Sequence, residues 1–207
     1  MFQSFSPNML KTFEQCSRKF YFKYIKNISM PVNDEVFELG KNIHALASYY
    51  LKKENIYKME EALSVKEREI WEYLKGIKYF SYEFVNTEYN LSFKFNDVFW
   101  GGRLDALVKN DDEYCILDYK TGTVPKNAKY DYQTIIYLLA VSKFFNTDKV
   151  NFIYIDLKNR DEVVIKLTPE LKEEYESKLN KILDDINHSD FEKISSECNC
   201  EFNIICY

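Results

Sequence analysis

Between residues 82 and 120 the apolar residues stop recurring every three or four positions and begin to alternate, and this change of period constrains the fold more than any other feature. Phe84, Asn86, Glu88 and Asn90, then Leu91, Phe93 and Phe95, read as one strand. A turn at Asn96-Asp97 leads to a second strand over Phe99–Lys109, and a turn at 110–112 to a third over Glu113–Lys120. Helical periodicity surrounds this block. Ser6 with Pro7 is an N-cap and first-turn proline, and the helix they start is expected to reach Tyr24 or beyond. A second helix is expected over about 35–53, a charged one over 59–75, and an apolar one over Tyr130–Phe145. A fourth strand, Lys149–Leu157, and a helix over Glu170–Asn187 opened by Thr168-Pro169 complete the pattern. Helices, three strands, helix, strand, helix is the order of a mixed α/β (α+β) domain.

Composition narrows the class. Gly (5) and Pro (4) are scarce, which favours long helices and strands over a loop-rich scaffold. At 207 residues the chain is read as one domain, 1–207: a mainly helical part to residue 80, an αβ core over 81–187 and a cysteine-rich tail over 188–207. No apolar run is long enough to span a bilayer and the start lacks a secretion signal, so no membrane association and a cytoplasmic location are expected. The formal net charge of −5 argues against nucleic acid only if charge is evenly spread. It is not: Lys11, Arg18, Lys19, Lys23 and Lys26 interleave with Phe13, Phe20, Tyr21, Phe22 and Tyr24. That segment suits phosphates and bases of a single strand, or else an ordinary helix with an aromatic core face.

The chemistry concentrates at the end of the third strand. Asp118 and Lys120 are two residues apart, so they share a face. Alone they are a surface ion pair. Asp105, thirteen residues earlier on the neighbouring strand, brings a second carboxylate, and paired carboxylates call for a cation between them. His44, one of two histidines, would read as structural without that context.

Gly40-x-x-x-His44, Gly102-x-x-Asp105, Asp118-x-Lys120 and Gln133-x-x-x-Tyr137, in this order, resemble the RecB-like exonuclease branch of the PD-(D/E)XK nuclease superfamily. Ser6-Pro7-Asn8-Met9-Leu10 and Cys16-Ser17-Arg18-Lys19-Phe20 extend the resemblance over nearly the whole chain. It implies a restriction-endonuclease-like core, a mixed sheet flanked by helices, and a metal-dependent DNA exonuclease acting on single strands or ends. By the same resemblance His44, Asp105, Asp118 and the Tyr119 carbonyl hold Mg²⁺ or Mn²⁺, and Lys120 serves the attacking water. Gln133 and Tyr137 line the site and, with Arg18 and Lys19, contact DNA; core packing is the alternative for Tyr137. Glu88 matches an acidic position that assists a second metal, or is an exposed strand glutamate.

The resemblance also implies a four-iron, four-sulfur cluster on Cys16, Cys198, Cys200 and Cys206 that joins the two ends of the chain. The family spacing C-x₂-C-x₅-C is here C-x-C-x₅-C, with Glu197 where a cysteine is expected, and zinc on the same ligands is the rival. Cys115 reads as a buried small hydrophobe. Partners implied are DNA and proteins of helicase–nuclease recombination or CRISPR adaptation. A catalytically silent DNA- or protein-binding module, or an RNA-processing enzyme on the same core, are the competing functions.

Overall fold

The computed structural model describes residues 3–30, 38–192 and 200–206. Its sheet is mixed and six-stranded. Strands β2 (Glu83–Phe95), β3 (Val98–Asn110) and β4 (Glu113–Lys120) form an antiparallel meander. A helix, α6 (Tyr132–Phe145), crosses over to β5 (Val150–Asp156), which lies parallel to β4, and β6 (Asp161–Lys166) closes the sheet antiparallel to β5. The β2–β3 turn is Asn96-Asp97, both at positive φ (51° and 60°), the backbone that a tight two-residue hairpin requires.

Two expectations are corrected here. The described residues hold two strands more than the periodicity gave. One, β1 (Ser4–Phe5), is too short to carry a period, and it pairs parallel with Phe99 and Trp100. The other, β6, is an edge strand exposed everywhere but Ile165, so it has no alternation to read. The single first helix is likewise broken. Helix α1 (Pro7–Gln15) stops at Cys16, whose backbone is extended (φ −165°, ψ 110°). The Cys16 sulfur then accepts the Lys19 N–H and starts α2 (Ser17–Phe20), which runs into a π-helical turn over Tyr21–Ile25. A cysteine can do what serine does at such a cap, and spacing alone does not reveal it.

Two apolar layers cover the sheet. Helices α6 and α7 (Pro169–Asn187) pack Ile135, Leu138, Leu139, Tyr175 and Leu179 with Trp100, Ile116 and Phe152 on one side. On the other side α3 (Glu38–Leu51) and, after the short α4 (Tyr57–Glu61), α5 (Val65–Lys75) pack Ile43, Leu46, Ala47, Trp71 and Leu74 against Ala106, Leu117 and Tyr119. The alternation of β4 thus holds: Cys115, Leu117 and Tyr119 face α3, while Ile116 packs on the α6 side. Cys115 is buried there, as expected of a small hydrophobe. Among the described residues no helix is long and apolar enough to cross a membrane.

Candidate active site

The sheet has a gap, and the gap makes the site. β2 accompanies β3 along its length, from Phe95↔Val98 to Glu83↔Lys109, so β1 and β4 must share the other flank. β1 takes Phe99–Trp100 and β4 takes Ala106–Asn110. Among the described residues, 101–105 between them have no strand partner on that side. Continued, the β3–β4 ladder would set Asp105 opposite Asp118; instead it ends at Ala106↔Leu117. The Tyr119 N–H, left without a backbone acceptor, donates to Asp105 Oδ2 at 3.0 Å. The neighbouring Arg103 carbonyl accepts the Tyr137 hydroxyl at 3.0 Å. Side chains therefore satisfy the backbone where the strands part, as buried peptide groups require.

The motif glycines belong to the same close packing. A Cβ at Gly102 would stand 2.6 Å from the Tyr137 hydroxyl oxygen, and one at Gly101 would stand 2.3 Å from the Leu91 carbonyl oxygen. Gly40 approaches Thr121, just beyond Lys120, with 3.3 Å left for a Cβ.

Helix α3 brings His44 from above. Asn42 donates to Glu67 at 2.7 Å, and the same Glu67 closes the capping box that starts α5, so the two helices are tied. His44 Nε2 lies 3.0 Å from the Tyr119 carbonyl and Nδ1 lies 3.4 Å from Asp105 Oδ1. Both ring nitrogens thus face acceptors. Burial works against charge on the ring, but the hydrogen bond and charge of Asp105, the Tyr119 carbonyl and Asp118 outweigh it, so the His44 pKa is raised above 6.5.

Asp118 is buried, with its carboxylate 2.7 Å from the Lys120 ammonium and hydrogen-bonded by the Gln133 amide. Lys120 also donates to Gln133 Oε1 at 3.1 Å, so Gln133 bridges the acid–lysine pair. Asp131 fixes Gln133 in turn: as N-cap of α6 it accepts the Gln133 N–H at 2.9 Å and pairs with Lys11 at 2.8 Å. Burial, and then the charge of Asp105, push the Asp118 pKa up to about 6 against the pull of Lys120. Tyr137 is buried and stacks on Phe152.

The structure thus gathers His44, Asp105, Asp118, the Tyr119 backbone, Lys120, Gln133 and Tyr137 around one gap. It also brings in Glu88, which the family resemblance offers as an acid assisting a second metal, with an exposed strand glutamate as the alternative. Thr87↔Ala106 and Tyr89↔Leu104 flank the position where Glu88 faces Asp105. Ligand atoms of His44, Glu88 and Asp105 lie within 4.8 Å of one another. One imidazole nitrogen with carboxylate and carbonyl oxygens is a donor set that fits Mg²⁺ or Mn²⁺. The hairpin offered the signal: from a two-residue turn at 96–97, counting back along β2 puts residue 88 against residue 105.

Arg18 and Lys19 lie at the junction of the chain ends. The Arg18 guanidinium stacks 5.3 Å and 4.9 Å from the Tyr21 and Phe22 ring centres, and Lys19 pairs with Glu201 at 2.9 Å. Cys16 starts α2 beside them, and Cys200 and Cys206 share an apolar cluster with Phe22 and Phe202. Cys198 lies outside the described residues.

Comparison with known proteins is consistent with this geometry. The model of the PD-(D/E)XK nuclease superfamily matches residues 4–207. A candidate exonuclease from Eubacterium rectale aligns over 98% of this chain and 92% of its own, at 13% identity and a TM-score of 0.56. The protein SSO0001 aligns over 99% of this chain and 85% of its own, at 18% identity and a TM-score of 0.51. At such identities the two structures speak to the shared fold. No curated protein matches the sequence.

Proposed function

The chain belongs to the PD-(D/E)XK nuclease superfamily, and we propose that it is a metal-dependent deoxyribonuclease that removes nucleotides from single-stranded DNA or DNA ends. The observation that carries this reading is the convergence of His44, Asp105 and the Tyr119 backbone within 3.4 Å of one another, beside the Asp118–Lys120 pair. In this reading His44, Asp105, Asp118 and the Tyr119 carbonyl hold a Mg²⁺ or Mn²⁺ ion. Such an ion lowers the pKa of a bound water and neutralises charge on the attacked phosphate.

Lys120 holds the attacking water in line with the phosphorus and stabilises charge on the phosphoryl oxygens as the P–O bond breaks. Asp118 and Gln133 fix its ammonium for that task. The Tyr137 hydroxyl, spent on the Arg103 carbonyl, holds the β3 segment that carries Asp105. Arg18 and Lys19 guide the DNA backbone at the joined chain ends. Cys16, Cys198, Cys200 and Cys206 hold a four-iron, four-sulfur cluster there; the Lys19–Glu201 pair and the packing of Cys200 and Cys206 near Phe22 support that site. The whole chain works as one domain, with apolar layers on both faces of one sheet. DNA repair, recombination or CRISPR adaptation, beside helicase or adaptation proteins, is the setting we propose.

The test is degradation of end-labelled single-stranded DNA with Mn²⁺, comparing wild type with Asp105→Ala. Wild type degrades the strand from an end, and the variant loses at least about a hundredfold in rate, on the order of 2.7 kcal/mol. No degradation by either protein is the behaviour of a silent binding module and would sink the enzyme assignment. Preference for RNA would redirect the substrate assignment.

A further inference from the structure

We propose that β6 is a self-association edge, along which two copies of this chain join their sheets antiparallel about a two-fold axis at Val164. β6 ends the sheet: it pairs with β5, and among the described residues no strand pairs with its other side. Its register with β5 runs without a shift from Asn151↔Lys166 to Asp156↔Asp161, and it holds neither a proline nor a bulge. Proline and bulges are common devices that blunt such an edge. Val163 and Val164 are 38% and 42% exposed, one on each face, because neighbouring residues of a strand point to opposite sides.

The direction of the free peptide groups follows from one bond just past the strand. The Leu167 N–H donates to the Val150 carbonyl at 2.9 Å, so Leu167 turns its peptide groups toward β5. Along an extended strand this direction alternates. Asp161, Val163 and Ile165 therefore face β5 with their peptide groups, and Glu162, Val164 and Lys166 face outward. An antiparallel copy centred on Val164 sets Glu162 opposite Lys166 on either side of the axis and Val164 opposite its own copy. Each of these pairs then exchanges both of its backbone hydrogen bonds. In the single chain the exposed Asp161 side chain accepts the Glu162 N–H at 2.8 Å, a local contact that the Lys166 carbonyl of the copy replaces.

The side chains select this register and this partner. Glu162, Val164 and Lys166 share one face, so each acid meets a lysine across the axis with the two valines between. On the opposite face Val163 lies across from Ile165 of the copy, apolar against apolar. Sliding the copy by two residues one way sets Lys166 against Arg160, and sliding it the other way sets Lys166 against Val164. The charges thus repel or strand most incoming strands and admit one that carries the complementary order, which β6 itself does. Lys166 makes no ion pair or hydrogen bond among the described residues. Glu162 pairs with Lys78 at 3.0 Å, and both side chains of that pair are exposed, so the acid can take a second cation.

The contact stands apart from the nuclease site. Lys120 is in register with Asp156 and Asp156 with Asp161, so the site lies two strands away, and the two-fold axis sends the two sites to opposite ends of the joined sheet. The experiment is sedimentation equilibrium of the full chain, with circular dichroism to check folding. An edge contact this small holds with a Kd on the order of 10 µM, so wild type passes from the chain mass of 24.8 kDa to twice that mass across about 1–100 µM. Glu162→Lys and Lys166→Glu each set like charges across the axis and are expected to weaken the dimer at least about tenfold. Mixed one to one, the two variants match lysine with glutamate on both sides of the axis and recover the dimer. Val164→Pro removes an outward N–H while sparing the β5 ladder, and is expected to stay monomeric. Should one reversal fail to fold, the other reversal and Val164→Pro still decide. A wild type that stays monomeric throughout would overturn the inference and leave the edge to another protein's strand. A dimer that no variant weakens, or that the mixture of folded reversals does not restore, would overturn it too.

Discussion

At the scale of single residues, the site is set by how protons and a divalent ion compete for the same atoms. Asp118 has its pKa pushed up to about 6 from 3.8, by burial first and the charge of Asp105 second. His44 is raised above 6.5: burial opposes its charge, and Asp105, the Tyr119 carbonyl and Asp118 prevail. Both shifts are upward, so both act on stability with the same sign. Asp118 stabilises the fold fully below pH 3.8, and that contribution is lost as pH rises through about 6. The His44 contribution is present below pH 6.5 and is lost as pH passes its higher folded value. Without divalent ion the protein should therefore lose stability through these groups from about pH 4 to above pH 6.5. A bound ion requires both groups deprotonated, so the rise in Tm caused by Mn²⁺ should grow across the same window, from near zero at pH 5 to several degrees at pH 8. Asp118→Asn should flatten the lower half of the ion-free profile. Thermal unfolding over pH 4–8 with and without Mn²⁺ reads all of this; an ion effect that does not change with pH would contradict it.

At the scale of elements, the gap beside β3 is what a pattern of residues can only half reveal. The D-x-K strand and its neighbour were readable, because side-chain alternation and the turns at 96–97 and 110–112 follow from local chemistry. That β3 and β4 part after Ala106↔Leu117 was not, since a missing ladder bond leaves no mark on the sequence. Glu88 stood at a countable register position opposite Asp105 and the resemblance offered it as a metal-assisting acid, while its place beside His44 depends on α3, which the strand pattern does not position. β6 was hidden because an exposed edge strand has no buried side to alternate with. Gly102 shows the same limit: its motif was visible, and its reason is the Tyr137 hydroxyl 2.6 Å from where a Cβ would sit. This makes a sharp prediction. Gly102→Ala should cost roughly 1–3 kcal/mol by overpacking, and Tyr137→Phe roughly 1 kcal/mol for the hydrogen bond to Arg103. Together they should cost less than their sum by on the order of 1 kcal/mol, because removing the hydroxyl relieves the closest contact and leaves ring atoms at 3.3 Å and 3.4 Å. Chemical denaturation of the four proteins in that cycle measures the coupling, and strict additivity would mean the clash is relieved elsewhere.

At the scale of the whole molecule, the question is what holds the two chain ends together. The contacts there are modest: Phe22 stacks on Phe202 at 5.7 Å, Ser17 donates to the Glu192 carbonyl at 3.0 Å, and Lys19 pairs with a half-exposed Glu201. A solvent-exposed pair of that kind contributes about 0–1 kcal/mol, and the apolar cluster of Phe22, Phe202 and Cys206 is small beside the two layers on the sheet. A stronger tie from residue 16 to residues 200–206 would close a loop that contains nearly the entire chain. A metal centre on Cys16 and the C-terminal cysteines would supply it, because its binding free energy becomes folding free energy. Cys16→Ala should then lower Tm by several degrees and abolish the visible absorption of an iron–sulfur protein. Mn²⁺ binding at His44 and Asp105 should persist below the new Tm, since α3 and β3 are anchored through Trp71, Leu74, Ala106 and Leu117 rather than through the ends. A colourless wild type containing one zinc per chain would replace iron with zinc and keep the structural argument. Full stability in Cys16→Ala, with metal content unchanged, would end it, and the weak contacts around Phe22 would then have to suffice.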